Sequence, residues 1–339
     1  MAVALKDVAQ KAGVSLATAS MAIRGRGRVS SQTCLRVKKV AGELGFSPSA
    51  SARALASGRS ETLGVAVRDL YYLSGPYMGS IVAGIAEVAD THNMGLSFAR
   101  SIPKADSDPE YVRFAKEGRF DGMVLVDQAV QELELSILAE MTLPVVLVDR
   151  KGPGRMFPAV RVDYRAAVRE AVSHLISLGH QRLAVITPDV ELFELQEKVG
   201  GYKEAMEAHN IPFDRNLIKT YVANDMSIDG LKRCIEDLEG LPARPTAYMS
   251  FQDHRASTMC ELLMMRGLRI PKDISVIGFD SAGPGFVNLV VDAIKVPCHE
   301  MGSRACQLLL DLIRGRTATR ETVLDATFEP ANSCAPPGR

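Results

Sequence analysis

From residue 63 onward the sequence alternates short apolar runs with longer amphipathic stretches, and this alternation limits the possible folds more than any other feature. The apolar runs are rich in valine and isoleucine, which is typical of buried parallel strands. They include Leu63–Val67, Met123–Val126, Val145–Val148, Leu183–Ile186 and Ile274–Phe279. Helical stretches separate the runs, near residues 77–91, 108–118, 131–141, 164–178, 194–209, 227–238, 252–266 and 298–314. The pattern predicts a doubly wound α/β fold.

This α/β segment is longer than one hydrophobic core usually supports, so we expect two lobes. Ligands in such folds bind beyond the carboxyl ends of the strands, often between lobes. Polar residues that directly follow a predicted strand are therefore candidates for a ligand cleft. They are Arg68, Asp69, Arg100, Ser101, Asp127, Asp149, Arg150, Asp189, Gln252, Asp253 and Asp280. Each of them could instead cap a helix or pair across the cleft.

The charges of the chain are unevenly distributed. The 339 residues include 40 Lys and Arg and 40 Asp and Glu, so the formal net charge is zero. Residues 1–60 contain ten of the bases and two of the acids, a net charge of +8, which leaves −8 on the remainder. This asymmetry points to nucleic acid or another anionic surface as the partner of the N-terminal segment.

Three short helical patterns occupy residues 1–46. Gly13 supplies a turn after the first, and Ser15 is a suitable N-cap for a second helix from about Leu16 to Ile23. A third helix should begin near Ser30 or Ser31. The spacing predicts a compact unit that contains a helix-turn-helix. Its expected core consists of Leu5, Val8, Ala9, Ala12, Ala19, Ala22, Ile23, Val37, Val40, Ala41 and Leu44.

The second helix is the expected recognition helix, because its outward side chains would meet base edges in a major groove. Hydroxyl and arginine side chains suit phosphates, and small apolar ones suit thymine methyl groups. The candidate DNA contacts are Leu16, Ala17, Thr18, Ser20, Met21, Arg24 and Arg28. A helical docking domain with a solvated charged face is the alternative, but the local basic excess favours DNA.

Residues 47–60 form a linker that can become a short helix. Pro48 suits a first helical turn after Ser47, and Gly58 ends the helix-competent run. A helix this short is unstable alone, so it should fold only when something holds it. Leu55 beside Arg53 has the composition of a minor-groove wedge. The alternative is a flexible tether whose leucine packs on the body.

Several classes of protein are disfavoured. No run approaches the roughly 20 apolar residues of a membrane span, and no signal peptide precedes the first helix, so we expect a cytoplasmic protein without a membrane partner. The six cysteines form no C-x-x-C pair, which indicates reduced thiols and no metal site. No nucleotide-binding, zinc-protease or serine-hydrolase motif is found, so we expect neither a cofactor nor an enzyme. His174 and His180 are interpreted as caps of a helix end.

The sequence motifs resemble those of one bacterial family, in family order. The stretches LKDVAQKAGVSLATAS and RVSSQTCLRVKKVAGELGFSPSASARALASGRS are similar to the headpiece and hinge of the lactose-repressor and galactose-repressor (LacI/GalR) family of transcriptional regulators. The resemblance continues through FDGMVLV, PVVLVDR, HLISLGHQRLAVI and IPKDISVIGFD. It covers about residues 5–328.

The resemblance implies a three-helix helix-turn-helix headpiece (1–46), a hinge helix (47–60) and a two-lobed, periplasmic-binding-protein-like body (61–339). It places lobe one at about 61–161 and 293–322, and lobe two at about 162–292 and 323–339. It also implies a homodimer that reads a near-palindromic double-stranded DNA operator, with hinge leucines, here Leu55, inserted at the centre. We expect dimer contacts from apolar helix faces that include Met259, Leu262, Leu263 and the stretch Met264 to Leu268, and from the loop Gly283 to Leu289. The alternative is that the methionines belong to the core.

Matches and departures together define the predicted effector site. Asp149, Gln252 and Asp280 match family ligand positions, although members usually carry asparagine at the position of Gln252. Lys198 occupies the position of an arginine that holds a sugar hydroxyl or a carboxylate, and it lacks the planar two-donor fork. Tyr71 and Tyr72 are candidates to replace a stacking aromatic that is absent near residue 225. With Arg100, the predicted effector contacts are Tyr71, Tyr72, Arg100, Asp149, Lys198, Gln252 and Asp280.

The DNA-binding segment also departs from the family. Met21 and Arg24 stand where members often have arginine and asparagine, so the operator preference should shift. Ser49 replaces the usual asparagine after the hinge proline. We therefore include Ser49, Arg53 and Leu55 among the predicted DNA contacts.

The sequence predicts a transcriptional regulator, favoured as a repressor, that a sugar or sugar phosphate controls. Ligand closure of the cleft would move lobe one against its dimer mate and release the marginal hinge helices. The alternative is a cytoplasmic small-molecule binding or docking protein with a weak or vestigial DNA-binding head. An α/β enzyme is the third interpretation.

Overall fold

The computed structural model describes residues 3–24, 28–47, 58–68, 70–101, 108–126, 132–150, 157–189, 192–222, 228–252, 255–279 and 290–338. The chain divides into two compact units, Met1–Glu61, here called the head, and Thr62–Arg339, here called the body.

The head contains three helices, as predicted: α1 (Leu5–Ala12), α2 (Leu16–Arg24) and α3 (Ser31–Leu44). Serine hydroxyl groups cap the N-termini of α2 and α3. Ser15 Oγ accepts a hydrogen bond from the Thr18 backbone N–H at 3.1 Å, and Ser30 Oγ accepts one from the Thr33 N–H at 3.3 Å. The N-cap predictions for α2 and α3 are confirmed.

Small side chains fill the core of the head. The buried residues are Val8, Ala9, Ala12, Ala19, Ala22, Val37 and Ala41. Four residues that were expected in the core are only partly buried and pack against this cluster: Leu5, Ile23, Val40 and Leu44. Because alanine leaves little distance between helix axes, α1, α2 and α3 pack closely around a core that buries modest apolar area.

The body alternates strands and helices along the chain. Its strands are β1 (Thr62–Val67), β2 (Gly95–Arg100), β3 (Gly122–Leu125), β4 (Val145–Val148), β5 (Ala159–Asp163), β6 (Leu183–Pro188), β7 (Ile218–Tyr221), β8 (Ala247–Ser250), β9 (Ser275–Phe279), β10 (Asp292–Lys295), β11 (Glu321–Asp325) and β12 (Thr327–Glu329). Its helices are α4 (Pro76–Thr91), α5 (Glu110–Lys116), α6 (Glu132–Glu140), α7 (Tyr164–Ser177), α8 (Phe193–Ala208), α9 (Asp229–Glu239), α10 (Arg255–Met265) and α11 (Cys298–Ile313). Short 3₁₀ helices cover Leu70–Ser74 and Arg215–Leu217.

These strands form two six-stranded sheets. The first has the order β11-β5-β4-β3-β1-β2, and the second has the order β12-β10-β9-β8-β6-β7. Neighbouring strands are parallel except for β10 and β12. The strands β3, β4, β6, β8 and β9 are buried at every position, as expected for parallel strands covered by helices on both faces.

The chain passes between the sheets three times: after β5, after β10 and between β11 and β12. The lobe limits that the resemblance implies, 61–161 with 293–322 and 162–292 with 323–339, stay a prediction. At each passage the last strand of a sheet ends two or three residues beyond the implied limit, at Asp163, Lys295 and Asp325.

The helices α4 and α11 cross at two glycines. A Cβ atom on Gly84 would lie 2.1 Å from the His299 carbonyl oxygen, and one on Gly302 would lie 1.9 Å from the Ile81 carbonyl oxygen. Only hydrogen fits at either position, so the two backbones approach each other directly. This crossing fixes the layer of helices that covers β3 and β4 of the first sheet.

His180 caps the C-terminus of α7 through its backbone N–H, which donates to the Leu175 carbonyl oxygen at 3.2 Å, and its side chain has a second role. It is buried, and its ring nitrogens lie within hydrogen-bond distance of Thr246 Oγ1 (2.8 Å), Ser275 Oγ (3.1 Å) and the Ala335 carbonyl oxygen (2.9 Å). Burial lowers the pKa of this imidazole. The capping interpretation of His180 is therefore confirmed for its backbone, while its side chain fastens the C-terminal segment to the second sheet.

Part of the expected dimer surface lies in the core. Met259, Leu262 and Leu263 are buried between α10 and the second sheet, so they cannot form an outer face. Met264 and Met265 are exposed, the latter by 82%. The sequence pattern did not distinguish the two faces, because residues 262–265 are all leucine or methionine.

No helix among the described residues is long and apolar enough to cross a membrane. The same part of the chain contains no group of three or more His, Cys, Asp or Glu side chains that could hold a metal ion.

We expect Gly302→Ala to lower the free energy of unfolding of the body by about 3 kcal/mol, because the added methyl group meets backbone rather than a side chain that can move. Gly240→Ala is the control, since its Cβ would lie 3.4 Å from the nearest atom, the Glu236 carbonyl oxygen. Urea denaturation checks both. Equal midpoints for the two variants would contradict the close helix crossing.

Candidate functional site

The recognition helix α2 presents apolar side chains to solvent. Leu16 is 54% exposed and Met21 is 37% exposed, whereas Ala19 and Ala22 of the same helix are buried. Ala17 is exposed as well, and Thr18 and Ser20 are half-buried. The outward face of α2 therefore consists of the residues that were predicted to meet base edges.

The remaining predicted DNA contacts are only partly described. Arg28 is exposed just before α3 begins. The backbone of Arg24 ends α2, but its side chain lies outside the described residues, as do Ser49, Arg53 and Leu55. The DNA contacts as a set stay a prediction.

In the body, Asp149 joins the two sheets. It directly follows β4 of the first sheet and has a left-handed backbone, with φ of +58°. One carboxylate oxygen, Oδ2, accepts hydrogen bonds from the Tyr77 hydroxyl at 2.7 Å and from the Tyr164 hydroxyl at 2.8 Å. Tyr77 belongs to α4, and Tyr164 is the first residue of α7, where the chain passes toward the second sheet. The bridge therefore spans the passage between the sheets.

Burial governs the electrostatics of this carboxylate. Asp149 is 1% exposed, and its burial, reinforced by the negative charge of Glu194, raises its pKa to about 7. The two tyrosine hydroxyls and the ammonium of Lys198 act in the opposite direction. Burial also raises the pKa values of Tyr77 and Tyr164, so both hydroxyls stay protonated and remain donors to Asp149.

Lys198 lies on the other side of the same cluster. Its Nζ atom donates to Glu194 Oε2 at 3.2 Å and to the Phe251 carbonyl oxygen at 3.1 Å. It also lies 4.6 Å from the centroid of the Tyr164 ring and 4.2 Å from that of Phe279. Phe251 and Phe279 stand at the carboxyl ends of β8 and β9. The ammonium therefore connects α8 to the carboxyl edge of the second sheet.

Gln252 belongs to a neighbouring group at this edge. The Tyr221 hydroxyl, at the end of β7, donates to Gln252 Oε1. The guanidinium of Arg255 lies 5.4 Å from the centroid of the Tyr221 ring, and it acts against the rise that burial causes in the pKa of that tyrosine. Gln252 directly follows Phe251, whose carbonyl group accepts from Lys198. The two groups are thus adjacent in the cleft.

Three of the seven predicted effector residues, Asp149, Lys198 and Gln252, therefore gather at facing strand ends. Arg100 is held differently: its backbone N–H donates to Glu110 Oε2 at 3.0 Å, and no described contact links it to the other three. Tyr71 and Tyr72 lie in a short 3₁₀ helix, but their side chains are outside the described residues, and so is Asp280. The effector contacts stay a prediction.

Sequence reasoning missed four members of the site: Tyr77, Tyr164, Glu194 and Tyr221. A local signal was available for each. Tyr164 directly follows β5, Tyr221 ends β7, and the other two lie in the first turn of the helix that follows a strand. Because the carboxyl ends of parallel strands lie at the same edge of a sheet, each of these positions could have been predicted as a member of the ligand site.

The cluster can bind a small polar molecule. It offers carboxylate and amide acceptors, tyrosine hydroxyls and the faces of aromatic rings, which together suit a ligand with hydroxyl groups and an apolar face. The hydroxyl and ammonium donors of the cluster already donate to acceptors within it. Binding must therefore exchange internal hydrogen bonds for new ones.

Replacing Asp149 should change how stability depends on pH. A carboxyl whose pKa is about 7 when folded binds a proton that the unfolded chain has lost, so its contribution to stability falls as the pH rises from about 4 to about 7. An asparagine at this position cannot ionise. We expect the Tm difference, Asp149→Asn minus the parent chain, to be several degrees more positive at about pH 8 than at about pH 5.

Thermal unfolding at both pH values checks this expectation. Asp163→Asn is the matched control, because that carboxylate caps α7 at the end of the neighbouring strand β5. Its Tm difference should not become more positive between the two pH values. The same pH dependence in both variants would refute the interpretation of Asp149.

Two family models match separate parts of the chain. The model for bacterial regulatory proteins of the lacI family matches residues 4–49, and that for the periplasmic binding protein-like domain matches residues 172–334. Among relatives, catabolite control protein A of Priestia megaterium is 28% identical over 326 residues, covering 95% of this chain and 96% of its own length. The transcriptional repressor CytR of Escherichia coli K12 is 29% identical over 317 residues, covering 93% and 91%.

Solved structures show the same architecture. A lac repressor dimer bound to operator and the anti-inducer ONPF superposes with a TM-score of 0.83 at 22% identity, covering 99% of this chain and 100% of that one. A LacI family regulator from Enterococcus faecium with bound ribose gives a TM-score of 0.69 at 26% identity, covering 81% and 99%. With its helix-turn-helix head, its two-sheet body and relatives that align along nearly the whole chain, this protein belongs to the LacI family of bacterial transcriptional regulators.

Proposed function

We propose that this chain is a transcriptional repressor that binds a near-palindromic DNA operator as a homodimer and responds to a small, sugar-like effector in the cleft between its two sheets. The exposed face of α2 carries this conclusion. Leu16, Ala17 and Met21 face solvent on a unit whose first 60 residues hold a net charge of +8. Apolar side chains on a basic surface fit thymine methyl groups flanked by phosphates.

The cluster around Asp149 supports the effector part of the proposal. Its hydrogen-bonding groups lie at the facing strand ends, where α/β proteins of this class bind ligands. The solved E. faecium regulator holds ribose. By analogy, a polyhydroxylated ligand here would compete with Tyr77 and Tyr164 for Asp149, and so would act on the bridge between the sheets.

The proposed organisation follows the domain limits of the sequence: a head at 1–46, a hinge at 47–60 and a body at 61–339. Met264 and Met265, exposed at the end of α10, are suited to contact a second body. In the dimer, an effector that shifts the bodies would displace the hinges and weaken operator binding. We place the protein in the cytoplasm, on the nucleoid when bound to DNA.

A docking protein with a vestigial head is less well supported. A vestigial head would not need an exposed Leu16 and Met21 on α2, the second helix of the helix-turn-helix, which enters the major groove in proteins of this type. We also propose that the chain is not an enzyme. Its relatives are transcriptional regulators, and the polar groups of its cleft hydrogen-bond one another without forming a nucleophile–base pair among the described residues.

Selection of binding sites from random DNA duplexes tests the function directly. The full-length chain should enrich two half-sites related by a near two-fold axis, bound more tightly than a competing acidic polymer such as heparin. Affinity should fall steeply as salt rises, because the basic head displaces counterions. Enrichment of no sequence, or equal affinity for heparin, would exclude an operator-binding function.

Leu16→Ala should weaken binding to the selected operator by about tenfold or more and relax the base preference at one position in each half-site. The reason is loss of an apolar contact from a side chain that is 54% exposed in the free head. Leu35→Ala is the matched control, since Leu35 is 70% exposed but lies on α3. Fluorescence anisotropy measures both, and equal losses would assign the effect to something other than base contact.

Leu55→Ala tests the hinge. We expect operator affinity to fall by at least about tenfold, because a wedge that unstacks a base step is lost, while the Tm of the body is unchanged. Measurement of operator bending by fluorescence resonance energy transfer should show a straighter DNA. Full affinity together with unchanged bending would show that the hinge is only a tether.

A further inference from the structure

The ammonium of Lys198 is buried and has partners on several sides. Lys198 is 4% exposed, and its Nζ atom donates to Glu194 and to the Phe251 carbonyl group. The faces of Tyr164 and Phe279 cover it within cation–π distance, at 4.6 and 4.2 Å. The two hydrogen bonds use two of the three N–H donors of the ammonium, and the two rings cover it further, so little of its bonding capacity is left for a ligand.

The charges described around this ammonium do not favour an anion. Two carboxylates, Asp149 and Glu194, lie close enough to Lys198 and to each other to alter the ionisation of Asp149. The three groups together are negative when Asp149 is ionised and neutral when it is protonated. A ligand phosphate would therefore meet repulsion from carboxylates in a buried, weakly screened site.

The uncharged groups of the cluster favour a different ligand. Two tyrosine hydroxyls converge on Asp149, at 2.7 and 2.8 Å, in the way that the hydroxyl groups of a ligand would approach a carboxylate. Phe251 and Phe279 pack edge to face, with ring centroids 5.9 Å apart, at the strand ends beside them. A carboxylate that accepts hydrogen bonds from hydroxyl groups, beside packed aromatic rings, suits a molecule with hydroxyl groups and an apolar part.

We propose that the effector is an uncharged polyhydroxylated molecule, a free sugar or a nucleoside, and that the Asp149–Glu194–Lys198 cluster discriminates against its phosphate ester. This inference rests on the proposed function, because it assigns the ligand class of the same cleft. It narrows the sequence-based expectation, which admitted sugars and sugar phosphates equally.

Matched ligand pairs test the proposal with the full-length chain. The probes are ribose and ribose 5-phosphate, glucose and glucose 6-phosphate, fructose and fructose 1-phosphate, adenosine and AMP, and cytidine and CMP. Thermal shift identifies the pairs that bind, and isothermal titration calorimetry gives their Kd values. We expect at least one uncharged member to bind, and to bind at least about tenfold more tightly than its phosphate ester.

A phosphate ester that binds as tightly as its uncharged partner would overturn the proposal. Absence of binding by every uncharged probe would also count against it, since the panel samples the class that it names. Neither result bears on operator selection, which uses no effector. A chain that selects an operator yet prefers a phosphate ester therefore refutes this inference alone, and a chain that selects no operator refutes the proposed function.

Glu194→Gln tests whether charge is the cause. The substitution removes one carboxylate from the cluster, so the ratio of Kd values for the two members of a binding pair should fall at least about fivefold. Glu197→Gln is the matched control on the same helix, because the Glu197 carboxylate pairs with Arg165 at 2.9 Å. For Glu197→Gln, the ratio of the two Kd values should equal that of the parent chain. Identical ratios in both variants would show that Glu194 does not exclude anions.

Discussion

The buried carboxylate of Asp149 is the interaction on which the body of this protein depends most. It ends a strand of the first sheet, and it accepts hydrogen bonds from hydroxyls on both sides of the passage to the second sheet. Burial makes its charge costly, which Tyr77, Tyr164 and Lys198 offset in part. A group held in this balance is sensitive to any ligand that replaces one of its partners, and such sensitivity is what an effector-controlled regulator requires.

Closely packed helices and strands surround the Asp149 hydrogen bonds. Gly84 and Gly302 allow α4 and α11 to cross at backbone contact beside the first sheet. In the second sheet, buried Asp292 accepts from the backbone N–H and hydroxyl of Ser333, and His180 holds Ala335, so the C-terminal segment is fastened to β9 and β10. Polar groups buried in this way are satisfied within the fold. Movement is therefore easier at the Asp149 bridge, where the partners are single side chains, than within either sheet.

Charge separates the tasks of the two units. The first 60 residues carry +8, and the remainder carries −8, so electrostatic attraction steers the head rather than the body toward DNA. Charge also acts inside the body, where two carboxylates beside an ammonium that is already hydrogen-bonded disfavour anionic ligands. In the proposed function, discrimination between sequences comes from Leu16, Ala17 and Met21 of α2, which are exposed and too apolar to gain from phosphate contact.

The sequence by itself determined the three helices of the head, their serine caps, the two-sheet α/β class and the charge division. These features depend on periodicity and on residues within one or two helical turns of each other, so local sequence is sufficient to predict them. Only the tertiary structure decided which side chains meet. Tyr77 reaches Asp149 across 72 residues because β1 and β4 belong to the same sheet. His180 reaches Ala335 across 155 residues because the chain leaves the second sheet after β10 and returns to it at β12. Lys198 was recognisable as a site residue from its position, but its contacts with Phe251 and with the rings of Tyr164 and Phe279 depend on long-range packing that no local pattern encodes.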